Sequence, residues 1–109
     1  MVRQMDLNQI RYVLALCDEQ NFTRAAKRCG VAQPSLTNGV RRLEAELGGP
    51  LFLRRPAVRL SPLGKALRPH FEHIMREIVA VEAKAARLCR TPATRRGQTG
   101  AASRSPIAP

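Results

Sequence analysis

A chain of 109 residues with 19 Lys and Arg against 8 Asp and Glu, a net charge of +11, is the size of one small domain with an appendage. A hydrophobic content of 44% supplies a modest core, and three Phe, one Tyr and no Trp make that core aliphatic and mostly helical. Residues 1–90 carry 16 of the basic and all 8 of the acidic side chains, a balance of +8 on the part able to fold, which favours a polyanionic partner. Cys17, Cys29 and Cys89 are an odd count without metal-type spacing, which argues against a disulfide framework or a zinc site. No apolar run is long enough to span a membrane, and the basic start precedes an amphipathic pattern instead of a signal-peptide core. A soluble, cytoplasmic protein is expected.

Asp6 with Gln9 three residues later predicts a capping box. Leu7, Ile10, Val13, Leu14 and Cys17 then recur at helical spacing, which predicts a first helix to about Glu19. Asn21-Phe22 breaks it and offers Phe22 to the core. Thr23 is the expected cap of a short second helix through Ala25, Ala26 and Cys29, closed by Gly30. Cys17 and Cys29 fall on apolar faces as reduced core thiols, and Cys89 is an exposure candidate near a helix end. The three-residue corner Gly30-Val31-Ala32 has the length of a helix-turn-helix connection.

The third helix organises the chain. Leu36, Val40, Leu43 and Leu47 make one apolar stripe, and Pro34 sits in the first turn, where its missing N–H costs little. Gln33, Ser35, Thr37 and Asn38 give the front end short polar side chains, and Arg41-Arg42 follow. A helix buried on one side with such a front can hydrogen-bond base edges while its cations meet phosphates, so it reads as a recognition helix. Gly39 in its interior costs about 1 kcal/mol against alanine, which suits admission of a close backbone or methyl contact. Gly48-Gly49-Pro50 ends the helix.

Leu51-Phe52-Leu53-Arg54-Arg55 and Ala57-Val58-Arg59-Leu60 are β-compatible runs around Pro56, as in a two-stranded wing crowded with arginine. Ser61-Pro62 opens a long helix over 61–90, about 45 Å if unbroken. Its apolar residues Leu67, Phe71, Ile74, Ile78, Val81, Ala85 and Leu88 alternate at spacings of four and three, a heptad seam expected to pair with the same helix of a second chain. Pro69 should remove one backbone bond and kink it. His70 and His73 beside it are packing or surface residues. Residues 91–109 mix Pro, Gly, Ser, Thr and Arg with little apolar content, and disorder is expected there.

The fold expected is mainly α: a winged helix-turn-helix over 1–60, with a three-helix core and a short β-hairpin wing, followed by a long dimerisation linker helix. Gln33, Pro34, Ser35, Thr37 and Asn38 are the candidate base-reading residues. Thr23, Arg41, Arg42, Arg54, Arg55 and Arg59 are the candidate phosphate and wing contacts. An enzyme is not expected. Glu44, Glu46, Glu72, Glu77 and Glu82 read as solvated helix positions, and no nucleophile arrangement, phosphate loop or metal cluster is present in the pattern. A single-strand or RNA binder lacks an aromatic stacking platform. No cofactor, metal or small-molecule ligand is called for.

Several motifs resemble, in order and at matching spacing, the N-terminal DNA-binding region of LysR-type transcriptional regulators. They are Asp6-Leu7-Asn8-Gln9-Ile10-Arg11-Tyr12, Asn21-Phe22-Thr23-Arg24-Ala25-Ala26 and Val31-Ala32-Gln33-Pro34-Ser35-Leu36-Thr37. Arg42-Leu43-Glu44, Leu47-Gly48, Pro50-Leu51-Phe52, Arg54 and Leu60-Ser61-Pro62-Leu63-Gly64 follow, so the resemblance covers residues 5 to about 90. It implies a bacterial regulator in which the segment matching Gln33, Pro34, Ser35 and Thr37 meets the major groove. The residue matching Arg54 would reach the DNA backbone or minor groove, and the linker helix would pair two heads. The family often has Arg-Gln where this chain has Asn38-Gly39, and commonly an acidic residue where Leu53 stands. The wing is about a residue shorter than usual. The family's large effector-binding portion is missing from the sequence, so the resemblance leads to a nucleoid-associated homodimer without its own ligand sensor. Mixed dimers with full-length relatives, or a less specific nucleoid binder, are the alternatives.

Overall fold

A short-range hydrogen-bond loop starts the fold in the computed structural model, which describes residues 5–89. The Gln9 N–H donates to Asp6 Oδ1 at 2.9 Å and the Asp6 N–H donates to Gln9 Oε1 at 3.1 Å, closing the expected capping box of α1 (Leu7–Glu19). Ile10, Val13 and Leu16 turn inward, whereas Leu7, placed on the same stripe by its spacing, stays exposed in the first turn. α1 ends at Gln20, which takes a left-handed conformation (φ 53°) and donates to Leu16 O. That is an unusual role for a residue with a Cβ.

Asn21 caps α2 (Phe22–Cys29), its side chain accepting the Arg24 N–H at 2.8 Å. This corrects the assignment of the cap to Thr23: the chain turns into α2 directly after Gln20, so Phe22 is already helical and Thr23 lies exposed in the first turn. Gly30 (φ 72°) closes α2, and after the corner α3 runs Gln33–Leu47 and ends at Gly48 (φ 92°). The wing is shorter than its sequence runs suggest. β1 (Phe52–Leu53) and β2 (Arg59–Leu60) pair antiparallel, Phe52 opposite Leu60 and Leu53 opposite Arg59. Pro56, lying between them, has no N–H with which to extend the ladder.

The chain divides into two units, Met1–Met75 and Arg76–Pro109, the division falling inside α4 (Pro62–Cys89). Ser61 caps α4: its hydroxyl accepts the Gly64 N–H at 3.0 Å and donates to Pro50 O at 2.6 Å. α4 continues through Pro69, which therefore costs one backbone bond without ending the helix. The expected disorder of 91–109 lies outside the described residues.

The core of the first unit joins Ile10, Val13 and Leu16 to Ala25 and Ala26 of α2, Leu36, Val40 and Leu43 of α3, and Leu51 and Phe52 of the wing. Phe71 of α4 completes it at 4% exposure, with Leu67 and Ile74 half-buried against the same core. This corrects the sequence reading of the heptad seam. Phe71 is consumed inside its own chain, and Leu67 and Ile74 largely so, because the winged-helix core needs a lid of aliphatic and aromatic bulk. In the second unit Val79 (63% exposed), Val81 (62%) and Leu88 (76%) stand in solvent, Ala85 is exposed and Ile78 is half-buried.

A second correction concerns Glu44, expected at a solvated position. Its side chain is only 11% exposed and holds α3 to the wing. Oε2 accepts the backbone N–H groups of Leu51 at 2.7 Å and Phe52 at 3.2 Å, and Oε1 accepts from Arg54 Nη2 at 3.2 Å. Arg54 also donates to Phe52 O at 3.2 Å and lies over the Phe22 ring, 5.5 Å from its centroid. Glu44→Ala would strand two donors on buried residues together with a half-buried guanidinium. A loss of about 3 kcal/mol in urea denaturation is expected, and a smaller one for Glu44→Gln, which keeps a carbonyl acceptor.

Gly64 fills a second close approach. A Cβ there would collide with the Leu51 carbonyl oxygen and stand 2.7 Å from Leu60 Cδ2. Gly64→Ala should therefore cost about 2 kcal/mol despite the better helix propensity of alanine, and thermal melting will read it as a lowered Tm. Burial pushes the half-buried Cys17 thiol up to about 11, although the nearby Arg68 guanidinium pulls it down. At about pH 8 Cys17 is then overwhelmingly thiol. Iodoacetamide followed by peptide mass mapping should label exposed Cys89 well before Cys17.

Candidate nucleic-acid interface

α3 is seated by Leu36, Val40 and Leu43, each fully buried. At 100° per residue, Pro34, Asn38, Arg41 and Ala45 fall within about 60° of one another on the opposite side. All four are exposed, as are Gln33, Ser35 and Arg42 on the flanks. Ala32 precedes the helix and no side chain among the described residues caps its start. The positive end of the helix dipole therefore emerges at the surface beside Gln33 and Ser35, where it favours an anion.

Thr37 departs from its expected place. It is half-buried, and its hydroxyl oxygen is inaccessible, with no hydrogen-bond partner among the described residues. The position lies one residue round from Leu36, on the flank shared with Gln33 and Glu44, so its hydroxyl is withdrawn from the solvent face. Of the residues expected to read bases, Gln33, Pro34, Ser35 and Asn38 are exposed.

The three wing arginines divide in use. Arg54 is occupied by Glu44, Phe52 O and the Phe22 ring. Arg59 is exposed but donates Nη1 to Arg55 O at 2.7 Å and Ala57 O at 3.0 Å, folding the wing tip over its own guanidinium. Arg55 alone of the three makes no side-chain hydrogen bond among the described residues. Sequence reasoning missed the structural part of Glu44 and Arg54, because a pair ten residues apart across a turn leaves no periodic signal.

Charge is sorted in space. Asp18 and Glu19, at the end of α1, take up Arg24 and Arg28 of α2, while Asp18 and Glu72 take up Arg68 of α4 at 3.3 and 3.0 Å. The hydrogen bond that Arg68 Nε donates to Glu72 raises the Arg68 pKa above its ordinary value. The pairs are exposed or half-exposed and contribute little to stability. Their consequence is distributional: among the described residues no ion pair engages Arg41, Arg42, Arg55 or Arg59. The acids at the end of α1 and on α4 pair with Arg24, Arg28 and Arg68, and of the wing cations only Arg54 is taken up by an acid, Glu44. Among the described residues no group of three or more His, Cys, Asp or Glu is placed to hold a metal ion, and no helix is long and apolar enough to cross a membrane.

Residues 7–65 match the model of the family described as "Bacterial regulatory helix-turn-helix protein, lysR family". The chain is 38% identical over 97 residues to the HTH-type transcriptional regulator IlvR of Caulobacter vibrioides, covering 88% of this chain and 31% of that protein. It is 46% identical over 63 residues to the HTH-type transcriptional regulator BudR of Klebsiella aerogenes, covering 57% of this chain and 44% of that one. It thus spans less than half the length of either relative. Among solved structures, the BenM DBD in complex with catB site 1 DNA superposes with a TM-score of 0.76 at 30% identity, over 80% of this chain and 99% of that one. The winged helix-turn-helix architecture and the match over 7–65 agree, and the chain belongs to the lysR family of bacterial regulatory helix-turn-helix proteins.

Proposed function

We propose that this protein binds double-stranded DNA with sequence preference, as a dimer, and regulates transcription. The observation that carries the reading is the exposed polar front of α3, opposite a fully buried stripe and flanked by Arg41 and Arg42, which no ion pair engages among the described residues. Gln33, Ser35 and Asn38 offer hydrogen bonds to base edges in the major groove, Asn38 being suited to adenine, and Pro34 offers an apolar surface. Thr23, Arg41, Arg42, Arg55 and Arg59 meet phosphates, and Arg54 holds the wing in place while presenting its outer edge to the backbone. The superposable BenM DBD is itself bound to DNA, which supports the same use of this fold. Such a protein acts in the bacterial cytoplasm, at the nucleoid, and needs no catalytic residue or cofactor.

Pairing rests on α4. Ile78, Val81, Ala85 and Leu88 continue the heptad beyond the residues used by the core, and most of that strip is exposed. A second copy of the helix would bury it. Two heads then read two half-sites, which makes a partly palindromic target the expected one. The same strip would accept the matching helix of a longer relative, so mixed dimers are the second reading. Co-purification of such a relative, abolished by Ile78→Glu, would establish it.

The test of the main reading is affinity for a sequence selected from random DNA and for a scrambled duplex, across a salt series. Selected DNA should bind at least about a thousandfold tighter. Gln33→Ala or Asn38→Ala should reduce that ratio by about 1–3 kcal/mol. Arg42→Ala or Arg55→Ala should weaken both duplexes alike and reduce the salt slope by about one. Equal affinity for the two duplexes at every salt concentration would leave a general nucleoid binder in place of a regulator.

A further inference from the structure

Gly39 lies halfway along α3, on the flank it shares with Ser35 and Arg42, between the buried stripe and the exposed front. A glycine in a helix interior is unfavourable against alanine because it adds backbone freedom to the unfolded chain and packs nothing of its own. The space beside it is not open for a DNA group, as the sequence alone would allow. It holds the ring of Tyr12, which comes from α1. A Cβ on residue 39 would stand 2.7 Å from Tyr12 Cδ2 and 2.9 Å from Cε2. Ordinary carbon–carbon contact is about 3.5–4.0 Å. The atoms met are in the body of the ring and not at a free tip. Tyr12 is half-buried and packs against the core, and α1 is anchored beside it by the fully buried Val13. The ring is therefore backed on one side by the core and on the other by the α3 backbone.

We propose that Tyr12 and Gly39 form a wedge and notch that sets the seating of α3 on α1, and thereby the sequence preference of the DNA-reading surface. This deepens the DNA-reading role given above and rests on it. The leverage comes from position: Asn38 is the neighbouring residue, and Ser35 lies one helical turn before the notch. Hydrogen bonds to base edges need heavy atoms within about 2.7–3.2 Å, so a displacement of α3 by a fraction of an ångström to an ångström disrupts them. Arginine contacts to phosphates, made by long side chains, follow such a displacement. Loss of the notch should therefore degrade choice among sequences more than attachment to DNA. Tyr12 and Gly39 are positioning residues that touch no base.

The experiment is a double-mutant cycle in the full chain: parent, Gly39→Ala, Tyr12→Ala and the pair. Melting temperature and affinity for the selected and scrambled duplexes are measured on each. With Tyr12 present, Gly39→Ala should lower Tm by several degrees and cut the selected-over-scrambled ratio about tenfold, with affinity for scrambled DNA within about twofold of the parent. In the Tyr12→Ala background the same substitution should raise Tm, as alanine does in an unobstructed helix, and leave the ratio where Tyr12→Ala alone puts it. Tyr12→Leu, which keeps apolar bulk without the ring, takes the place of Tyr12→Ala if that variant does not fold. A Gly39→Ala protein that folds only in the Tyr12→Leu background also supports the wedge. A rise in Tm in both backgrounds, or an equal loss of sequence preference in both, overturns it. A parent that does not distinguish the two duplexes overturns the DNA-reading role and the pair's part in sequence choice, whatever the melting cycle shows.

Discussion

The carboxylate of Glu44 is the constraint on which the joining of α3 to the wing depends. It projects from α3 and accepts three hydrogen bonds, two from the backbone where the wing begins and one from Arg54. The wing is a pair of two-residue strands, far too short to be stable alone. Its entry is instead fastened directly to the helix whose surface it extends. Leu51 and Phe52 are buried by the same arrangement, so the N–H groups that Glu44 satisfies lie where water could not readily replace it. Arg54 then closes the circuit by covering Phe22, which ties the start of α2 to the wing. One acid thus relates all three parts of the candidate interface to one another.

Electrostatics follows from where the other acids lie. Eight acidic side chains against nineteen basic ones could be spread evenly over a surface, and the excess would then say little. Here Asp18, Glu19 and Glu72 are gathered at the end of α1 and on α4, where they pair with Arg24, Arg28 and Arg68. Since exposed pairs of this kind contribute little to folding, their effect is to shape the field. Among the described residues Arg41 and Arg42 on α3 and Arg55 at the wing tip enter none of these pairs, and they lie on the same parts of the chain as the open N-terminus of α3.

Much of this was legible in the sequence, for reasons that can be stated residue by residue. Asp6 with Gln9, Gly30 and Gly48 mark helix ends by local chemistry, and the structure uses each as its residue type requires. The Leu36, Val40 and Leu43 stripe needs only the helical period. Thr23 was misread because Asn21 and Thr23 are both good caps, and the choice turns on Gln20 adopting a left-handed conformation that few residues of its type take. Glu44 and Thr37 were misjudged, and the structural part of Arg54 missed, for a different reason. Their environments are made by segments that come together only in three dimensions, and a helical wheel places Glu44 and Thr37 at the margin between buried and exposed. The notch at Gly39 was visible as an oddity, but the wedge that fills it comes from a residue 27 positions earlier.

The long helix shows the limit of periodicity most clearly. Leu67, Phe71, Ile74, Ile78, Val81, Ala85 and Leu88 form one unbroken alternation of four and three, and nothing in that pattern separates its members. The fold does separate them. Phe71 is buried in the chain's own core and its neighbours on the stripe pack there too, whereas Val81, Ala85 and Leu88 are exposed. An apolar period states only that a face must be covered; what covers it depends on how far the rest of the chain reaches. In this protein the winged-helix core reaches as far as Ile74 and Met75. The apolar positions beyond them lie outside that core, so the same heptad serves folding in its first half and is largely exposed in its second.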